Sequence, residues 1–146
     1  MNSTIVLNQA SVQTIEAHAL ATFPDECCGF LYGVDSELRL ITQAIRVDNS
    51  KEGDQRRRFE IAPLDYLKAE QYALDNELQL LGIYHSHPNH PAIASEHDLA
   101  KAMPFFSYVI VSVMDGVVAD LKSWKLKEAV HQFAEEEVLA QKADTI

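Results

Sequence analysis

The chain has 146 residues, of which 47% are hydrophobic and 23% charged, and its 22 acidic against 12 basic side chains give a formal charge of −10. This length predicts one domain, over residues 1–146, with a core of its own, and the ordinary composition excludes a disordered or fibrous protein. The acidic balance disfavours nucleic acid, whose binding requires Lys and Arg on phosphates, and disfavours anionic membranes.

Location is predicted from the N-terminus, the apolar runs and the cysteines. The N-terminus has no basic and apolar signal sequence, and no run reaches the roughly 18 apolar residues of a membrane span. Cys27 and Cys28 are adjacent and poorly placed to bridge each other. We therefore expect a protein of the reducing cytoplasm.

The first half of the chain predicts a helix, two strands and a second helix. Apolar residues at helical spacing predict the first helix over Ala10–Thr22, which ends before Pro24. Strands follow over Cys28–Val34 and Leu38–Val47, and a polar loop over Asp48–Gln55. Pro63 suits the first turn of the second helix, whose apolar side is predicted to carry Leu64, Leu67 and Leu74.

The second half predicts strands around one short helix. Leu78–His87 is predicted to be a strand in which Leu81, Ile83, His85 and His87 share a face. Ser95 opens a short helix that Pro104 stops. Asp115-Gly116 joins strands Ser107–Met114 and Val117–Trp124 as a hairpin, and the tail Lys127–Lys142 is predicted to be helical. The fold class is mixed α/β (α+β), a central mixed β-sheet flanked by helices.

The most informative residues are His85 and His87, which project the same way from one strand with Cβ atoms about 6–7 Å apart. Asp98, in the first turn of the next helix, is a good candidate for a third ligand. Two imidazoles and one carboxylate suit a catalytic Zn²⁺ that keeps one position for water and lowers the pKa of that water to about 7. Each element also has an ordinary interpretation, because His-x-His pairs occur by chance and Ser95 with Asp98 fits a plain helix cap.

The string His85-Ser86-His87-Pro88, followed by Ser95 and Asp98, resembles the JAMM signature of MPN-domain metallopeptidases in their compact, stand-alone prokaryotic form. The resemblance runs from about Ile5 to Trp124. It includes the segments Pro24–Gly33, Arg58-Phe59, Gly82–Tyr84 and Ser107–Ser112. It implies a single MPN domain with a cytidine-deaminase-like fold.

The same resemblance implies residue roles. His85, His87 and Asp98 would be the ligands of one zinc ion, Glu26 the general base and Ser95 the donor to the developing oxyanion. The implied reaction is hydrolysis of an amide or isopeptide bond after the C-terminal Gly of a ubiquitin-like or sulfur-carrier protein that ends in Gly-Gly. The sequence separates neither these two substrate classes nor the oligomeric states.

Other classes of protein were weighed against the spacing. A metallo-β-lactamase needs an Asp where Asn89 stands, and a zinc deaminase needs a Pro-Cys-x-x-Cys element that the sequence lacks. Two His and one carboxylate also suit a non-haem iron oxygenase, which no further feature favours. The main alternative is a non-catalytic MPN scaffold, although such relatives typically lose the ligands.

The remaining polar residues near the motif have weaker assignments. His90 and His97 are candidates for groups that support the metal ligands, with solvated positions favoured. Cys27 and Cys28 are predicted to pack in the core. Surface positions on helices are predicted for His18 and His131. The basic run Arg56–Arg58 is either a grip for a substrate carboxylate or, as favoured, a solvated approach to a strand.

Overall fold

The computed structural model describes residues 3–141, so residues 1–2 and 142–146 of the predicted domain 1–146 lie outside the described residues. Seven strands and three α-helices follow one another within residues 3–141. In chain order they are β1 (Thr4–Leu7), α1 (Gln9–Thr22), β2 (Cys28–Asp35), β3 (Arg39–Val47), α2 (Pro63–Asp75), β4 (Gln79–Pro88), α3 (Glu96–Ala100), β5 (Ser107–Met114), β6 (Val117–Lys127) and β7 (Gln132–Ala140).

The strands form one mixed sheet in the order β1-β3-β2-β4-β5-β6-β7, which closes because β1 pairs with both β3 and β7. The β1 pairs and the β4–β5 pair are parallel, and the other neighbours are antiparallel. The predicted mixed α/β class with a central sheet is confirmed. Neither β1 nor the closure of the sheet was predicted from the sequence.

Helix α1 covers one face of the sheet. The Asn8 side chain accepts a hydrogen bond from the Ser11 N–H and caps the first turn, while Ile15 and Ala19 enter a core cluster with Leu31 of β2. The bounds agree with the predicted ones within one residue. His18 contradicts its predicted surface position, because it is buried with Nδ1 2.7 Å from the Tyr84 hydroxyl, and burial lowers its pKa to about 4.

Helix α2 covers the opposite face. Phe30 and Tyr32, which alternate with Leu31 along β2, enter a second cluster that contains Ala69 and Ala73 of α2. The predicted apolar side of this helix is wrong. Its leucines point to solvent, with exposures of 59% for Leu64, 64% for Leu67 and 74% for Leu74. The helix has a second periodic stripe, made of small alanines and half-buried tyrosines, and this stripe packs on the sheet.

The C-terminal α-helix predicted over Lys127–Lys142 is wrong for the described residues, of which only Glu128–Val130 form a single 3₁₀ turn; Lys142 lies outside them. β6 continues to Lys127, and β7 pairs antiparallel with β6 and parallel with β1. The buried Glu136 carboxylate accepts hydrogen bonds from the hydroxyls of Ser3, at 2.8 Å, and Ser123, at 2.7 Å. Pairing with distant segments therefore outweighs the helical preference of the Ala, Glu and Leu residues in this tail.

Strand β4 carries one irregularity. The register with β2 shifts between Leu31 and Tyr32, so that Leu81 enters the α1 cluster while Ile83 enters the α2 cluster. The prediction that Leu81 shares a face with Ile83 is therefore wrong.

Between residues 3 and 141 no helix is both long and apolar enough to span a membrane. The longest helix in this part of the chain is α1, with 14 residues.

Candidate metal centre and active site

Strand β4 lies in the middle of the sheet, antiparallel to β2 and parallel to β5, and brings its two histidines together. His85 is 1% exposed and His87 7% exposed. Their Nε2 atoms are 3.1 Å apart. The ring of Phe59 stacks on that of His85, with centroids 4.5 Å apart and planes inclined by 27°. The two Nε2 atoms therefore face each other, and the stacked His85 ring has little freedom to rotate.

Asp98 comes to the same point from the first turn of α3. Its Oδ1 lies 3.3 Å from His85 Nε2, and its Oδ2 lies 3.3 Å from His87 Nε2. The Ser95 N–H donates to Asp98 Oδ2 at 2.9 Å, and the Asp98 N–H donates to Ser95 Oγ at 3.0 Å. This reciprocal capping box orients the carboxylate toward the two imidazoles.

The donor set fits a zinc ion. Tetrahedral Zn²⁺ with ligand distances of about 2.0–2.1 Å places its ligand atoms about 3.3 Å apart. The two imidazole nitrogens are 3.1 Å apart, and one ligand atom from each of the three residues lies within 4.8 Å of the others. His87 Nδ1 lies 2.8 Å from the Pro91 carbonyl, which can only accept. Nδ1 therefore carries the hydrogen, and Nε2 keeps its lone pair for a metal.

The ionisation of His85 and Asp98 suits metal binding, whereas at His87 a proton competes with a metal ion. Burial lowers the pKa of His85 and so favours its neutral form. Burial alone would also lower the pKa of His87, but hydrogen bonds to Asp98 and the Pro91 carbonyl outweigh it and raise that pKa. Burial alone would raise the pKa of Asp98, but the two histidines and the Ser95 N–H hold it well below its usual range. The carboxylate is therefore charged, as a ligand must be.

Glu26 lies beside this group although 59 residues separate it from His85. It is 6% exposed and lines a cavity of about 430 Å³ with His87 and Ser95. Burial raises its pKa to about 8. A carboxylate with a pKa near neutrality can both accept and return a proton.

Ser95 has two properties that bear on its predicted role. Its hydroxyl oxygen accepts from the Asp98 N–H, so the capping interaction is real. A hydroxyl that accepts one hydrogen bond still has a hydrogen to donate, and Ser95 lines the same cavity as Glu26. The structure therefore brings all five predicted site residues together around two adjoining elements, β4 and α3.

A second cavity, of about 330 Å³, is lined in part by His85 and Asp98. Its lining is largely apolar, with Lys101 and His97 among the polar residues. The apolar and aromatic side chains that line it are Phe59, Ile61, Pro63, Tyr66, Ile83 and Tyr108. Two cavities therefore adjoin the three donor side chains, one at His85 and Asp98 and the other at His87.

The remaining histidines, cysteines and arginines near the motif lie in different environments. His97 Nδ1 lies 2.9 Å from the Arg58 guanidinium, and His90 is exposed on the wall of the larger cavity. Cys27 and Cys28 are buried as predicted, and burial raises their pKa values to about 11 and about 12. His131 is exposed, but it follows a 3₁₀ turn at φ 47° and is not on an α-helix. Arg56–Arg58 is exposed, and Arg57 reaches the larger cavity.

Sequence reasoning missed two side chains that hold the site together. Ser86 Oγ accepts from the Cys27 N–H at 2.8 Å, which ties the residue after Glu26 to the strand between the histidines. Its position inside the His-Ser-His string was the available signal. The family resemblance included Phe59 but not its stacking on His85, because 26 residues separate the two rings.

Comparison with known proteins identifies the family. The profile of the prokaryotic homologs of the JAB domain matches residues 8–127. The chain belongs to this family. The match contains the histidines, the carboxylates and the serine of the site, together with every element from α1 to β6.

Two curated relatives match this JAB-domain chain. The desampylase of Pyrococcus furiosus is 29% identical over 131 residues, which are 86% of this chain and 84% of that protein. The tail tip assembly protein K of Escherichia phage N15 is 29% identical over 100 residues, which are 65% of this chain. The matched region covers 35% of the phage protein, so the chain spans about a third of that relative.

Solved structures share the fold of this JAB-domain chain. A protein from Desulfitobacterium hafniense superposes with a TM-score of 0.82 at 28% identity, over 97% of this chain and 95% of that one. A JAB1/MPN domain protein from Archaeoglobus fulgidus superposes with a TM-score of 0.56 at 20% identity, over 91% of this chain and 97% of that one. The second likeness confirms the predicted MPN fold.

Proposed function

We propose that this JAB-domain protein is a zinc-dependent hydrolase that cleaves an amide or isopeptide bond after the C-terminal Gly of a ubiquitin-like or sulfur-carrier protein. One observation carries the proposal: His85, His87 and Asp98 converge on one point beside the buried carboxylate of Glu26. A non-catalytic scaffold does not need a buried carboxylate, with its pKa raised to about 8, beside a group of three side chains that could hold a metal ion. The catalytic alternative is therefore favoured over the scaffold.

His85, His87 and Asp98 would hold the zinc ion, which supplies a Lewis acid for the carbonyl and makes water more acidic. Glu26 would take a proton from the attacking water and return it to the leaving amine. Ser95 would donate its hydroxyl hydrogen to the carbonyl oxygen as negative charge develops there. Burial of Glu26, His85 and His87 strengthens their electrostatic contacts relative to water.

The substrate class rests on the relatives and on the cavities. The desampylase matches 86% of this chain, which supports a ubiquitin-like substrate. A tail that ends in Gly-Gly has no side chains to clash with the walls of the two cavities beside the ligands. The same tail chemistry describes sulfur carriers, and both remain within the proposal. Two buried free thiols, Cys27 and Cys28, accord with the reducing cytoplasm as its location.

The test uses purified protein, stripped of metal and reloaded with zinc. The substrates are a ubiquitin-like protein and a sulfur carrier, each linked through its terminal Gly to a reporter amine. We expect hydrolysis of at least one substrate, loss of hydrolysis with a chelator and loss in Glu26→Gln with zinc still bound. Protein that binds no zinc, keeps its thermal stability and cleaves neither substrate would instead be a scaffold.

A further inference from the structure

The loop between β3 and α2 is organised by the side chain of one residue, Asn49. Its Nδ2 donates to the carbonyls of Glu26, at 3.2 Å, and Arg58, at 3.1 Å. Its Oδ1 accepts from the backbone N–H groups of Lys51, at 3.0 Å, and Glu60, at 3.1 Å. A side-chain amide has two N–H donors and two acceptor lone pairs. Asn49 thus uses its whole hydrogen-bonding capacity on backbone groups.

This loop holds the backbone of Glu26 from both sides. The Glu26 N–H donates to the Gln55 carbonyl at 2.7 Å, while the Glu26 carbonyl accepts from Asn49. Gln55 is fixed in turn, because its Nε2 donates to the carbonyls of Asn49, at 3.1 Å, and Lys51, at 2.9 Å. Glu26 precedes β2 and so lacks the strand pairing that fixes Cys28. The loop supplies the missing constraint.

The same side chain reaches the other half of the site. The Arg58 carbonyl and the Glu60 N–H that Asn49 binds stand on either side of Phe59. Phe59 is the residue whose ring stacks on His85. Asn49 therefore connects the backbone of Glu26 to the ring that restrains His85.

We infer that Asn49 is a positioning residue of the hydrolase. Through the loop of residues 48–60 it fixes the position of the Glu26 carboxylate relative to the His85 ring. This inference rests on the proposed function. Asn49 touches neither substrate nor metal in this role. Its removal should therefore lower the rate of the chemical step and leave substrate binding unchanged.

The test compares Asn49→Asp and Asn49→Ala with Asn76→Ala. The Asp variant has the same shape and keeps both acceptors, but it lacks the two N–H donors to Glu26 and Arg58. Asn76 is a matched control, because its Nδ2 donates to a single carbonyl, that of Tyr72, at the end of α2. A displacement of about 1 Å at a catalytic group costs on the order of 100-fold in rate.

We expect kcat of the zinc-loaded Asn49 variants to fall about 10- to 100-fold with KM within about twofold of wild type, and Asn76→Ala to match wild type. Hydrogen exchange gives a readout that needs neither metal nor substrate. The Glu26 amide, which donates to Gln55, should exchange at least about tenfold faster in Asn49→Asp than in Asn76→Ala. If Asn49→Ala does not fold, Gln55→Ala weakens the same loop and should shift both readouts in the same direction.

Full kcat in Asn49→Asp, or a fall in kcat with unchanged exchange at Glu26, would overturn the inference. An equal fall in Asn76→Ala would overturn it too, because the effect would then be general. Full turnover in Glu26→Gln, measured beside these variants, would instead overturn the proposed function, on which the role of Asn49 depends.

Discussion

Replacement of Glu26 by Gln should stabilise the metal-free protein, and the gain should depend on pH. Glu26 is 6% exposed, and burial raises the pKa of its carboxyl group from 4.5 to about 8. The folded state therefore binds a proton that the unfolded state releases between these pH values. Stability then falls as pH rises through this window. Gln has nearly the same shape and no charge, so it escapes this loss.

The size of the effect follows from the pKa difference. One pKa unit corresponds to about 1.4 kcal/mol, so a rise from 4.5 to about 8 sets a limit of about 5 kcal/mol at high pH. Because the carboxyl group is half ionised at its own pKa, about 4 kcal/mol of this is expressed at pH 8. Near pH 4.5 and below, the difference between Glu26→Gln and wild type should vanish. A bound dication favours the charged carboxylate, so zinc should reduce the gain.

Urea unfolding of chelator-treated protein, followed at pH 5, 6, 7 and 8, measures this difference directly. Glu70→Gln is the matched control, because Glu70 is exposed on α2; it should stay within about 0.5 kcal/mol of wild type at each pH. If Glu26→Gln does not raise the free energy of unfolding at pH 8, or raises it equally at pH 5 and pH 8, then ionisation of Glu26 does not destabilise the folded protein.

Three further changes test other parts of the structure. Ser95→Ala should lower turnover about 10²- to 10³-fold, because an oxyanion donor is lost. It should also lower the free energy of unfolding in urea by about 1 kcal/mol, because the helix cap is lost. If turnover falls only in proportion to the amount of folded protein, Ser95 is a helix cap without a role in the reaction. Gly82→Ala should prevent folding by circular dichroism, because its Cβ would lie 2.2 Å from the Ser107 carbonyl oxygen across the β4–β5 pair; a folded variant that binds zinc would contradict this packing. Leu67→Lys should change the free energy of unfolding by less than about 0.5 kcal/mol, since Leu67 is 64% exposed, and a larger loss would mean that this side of α2 is covered.

The metal ligands were accessible to sequence reasoning because their geometry is mostly local. His85 and His87 are two residues apart on one strand, and Asp98 follows within one short connection and the first turn of α3. Glu26 was accessible only through the family resemblance. Its position depends on the β2–β4 pairing and on a loop that begins more than 20 residues later.

The errors in the fold have the same origin in long-range contacts. The tail after Lys127 has helix-forming residues, yet pairing with β1 at the other end of the chain makes it a strand. The buried Glu136 carboxylate in this tail accepts hydrogen bonds from Ser3 and Ser123. No local sequence pattern reveals these contacts. On α2 two sets of apolar residues recur at helical spacing. The leucines, which include Leu64, have the larger side chains and were therefore predicted to be the buried set, which is wrong. The sheet accepts the stripe whose alanines allow close approach.

The central claim is that the buried imidazoles of His85 and His87 and the carboxylate of Asp98 hold one zinc ion. Calorimetric titration of zinc into metal-stripped protein tests it, with His87→Ala beside His90→Ala, since His90 is an exposed histidine of the adjoining cavity. We expect one zinc per chain in wild type and in His90→Ala, and a loss of most affinity in His87→Ala. Equal zinc binding by wild type and His87→Ala would contradict it.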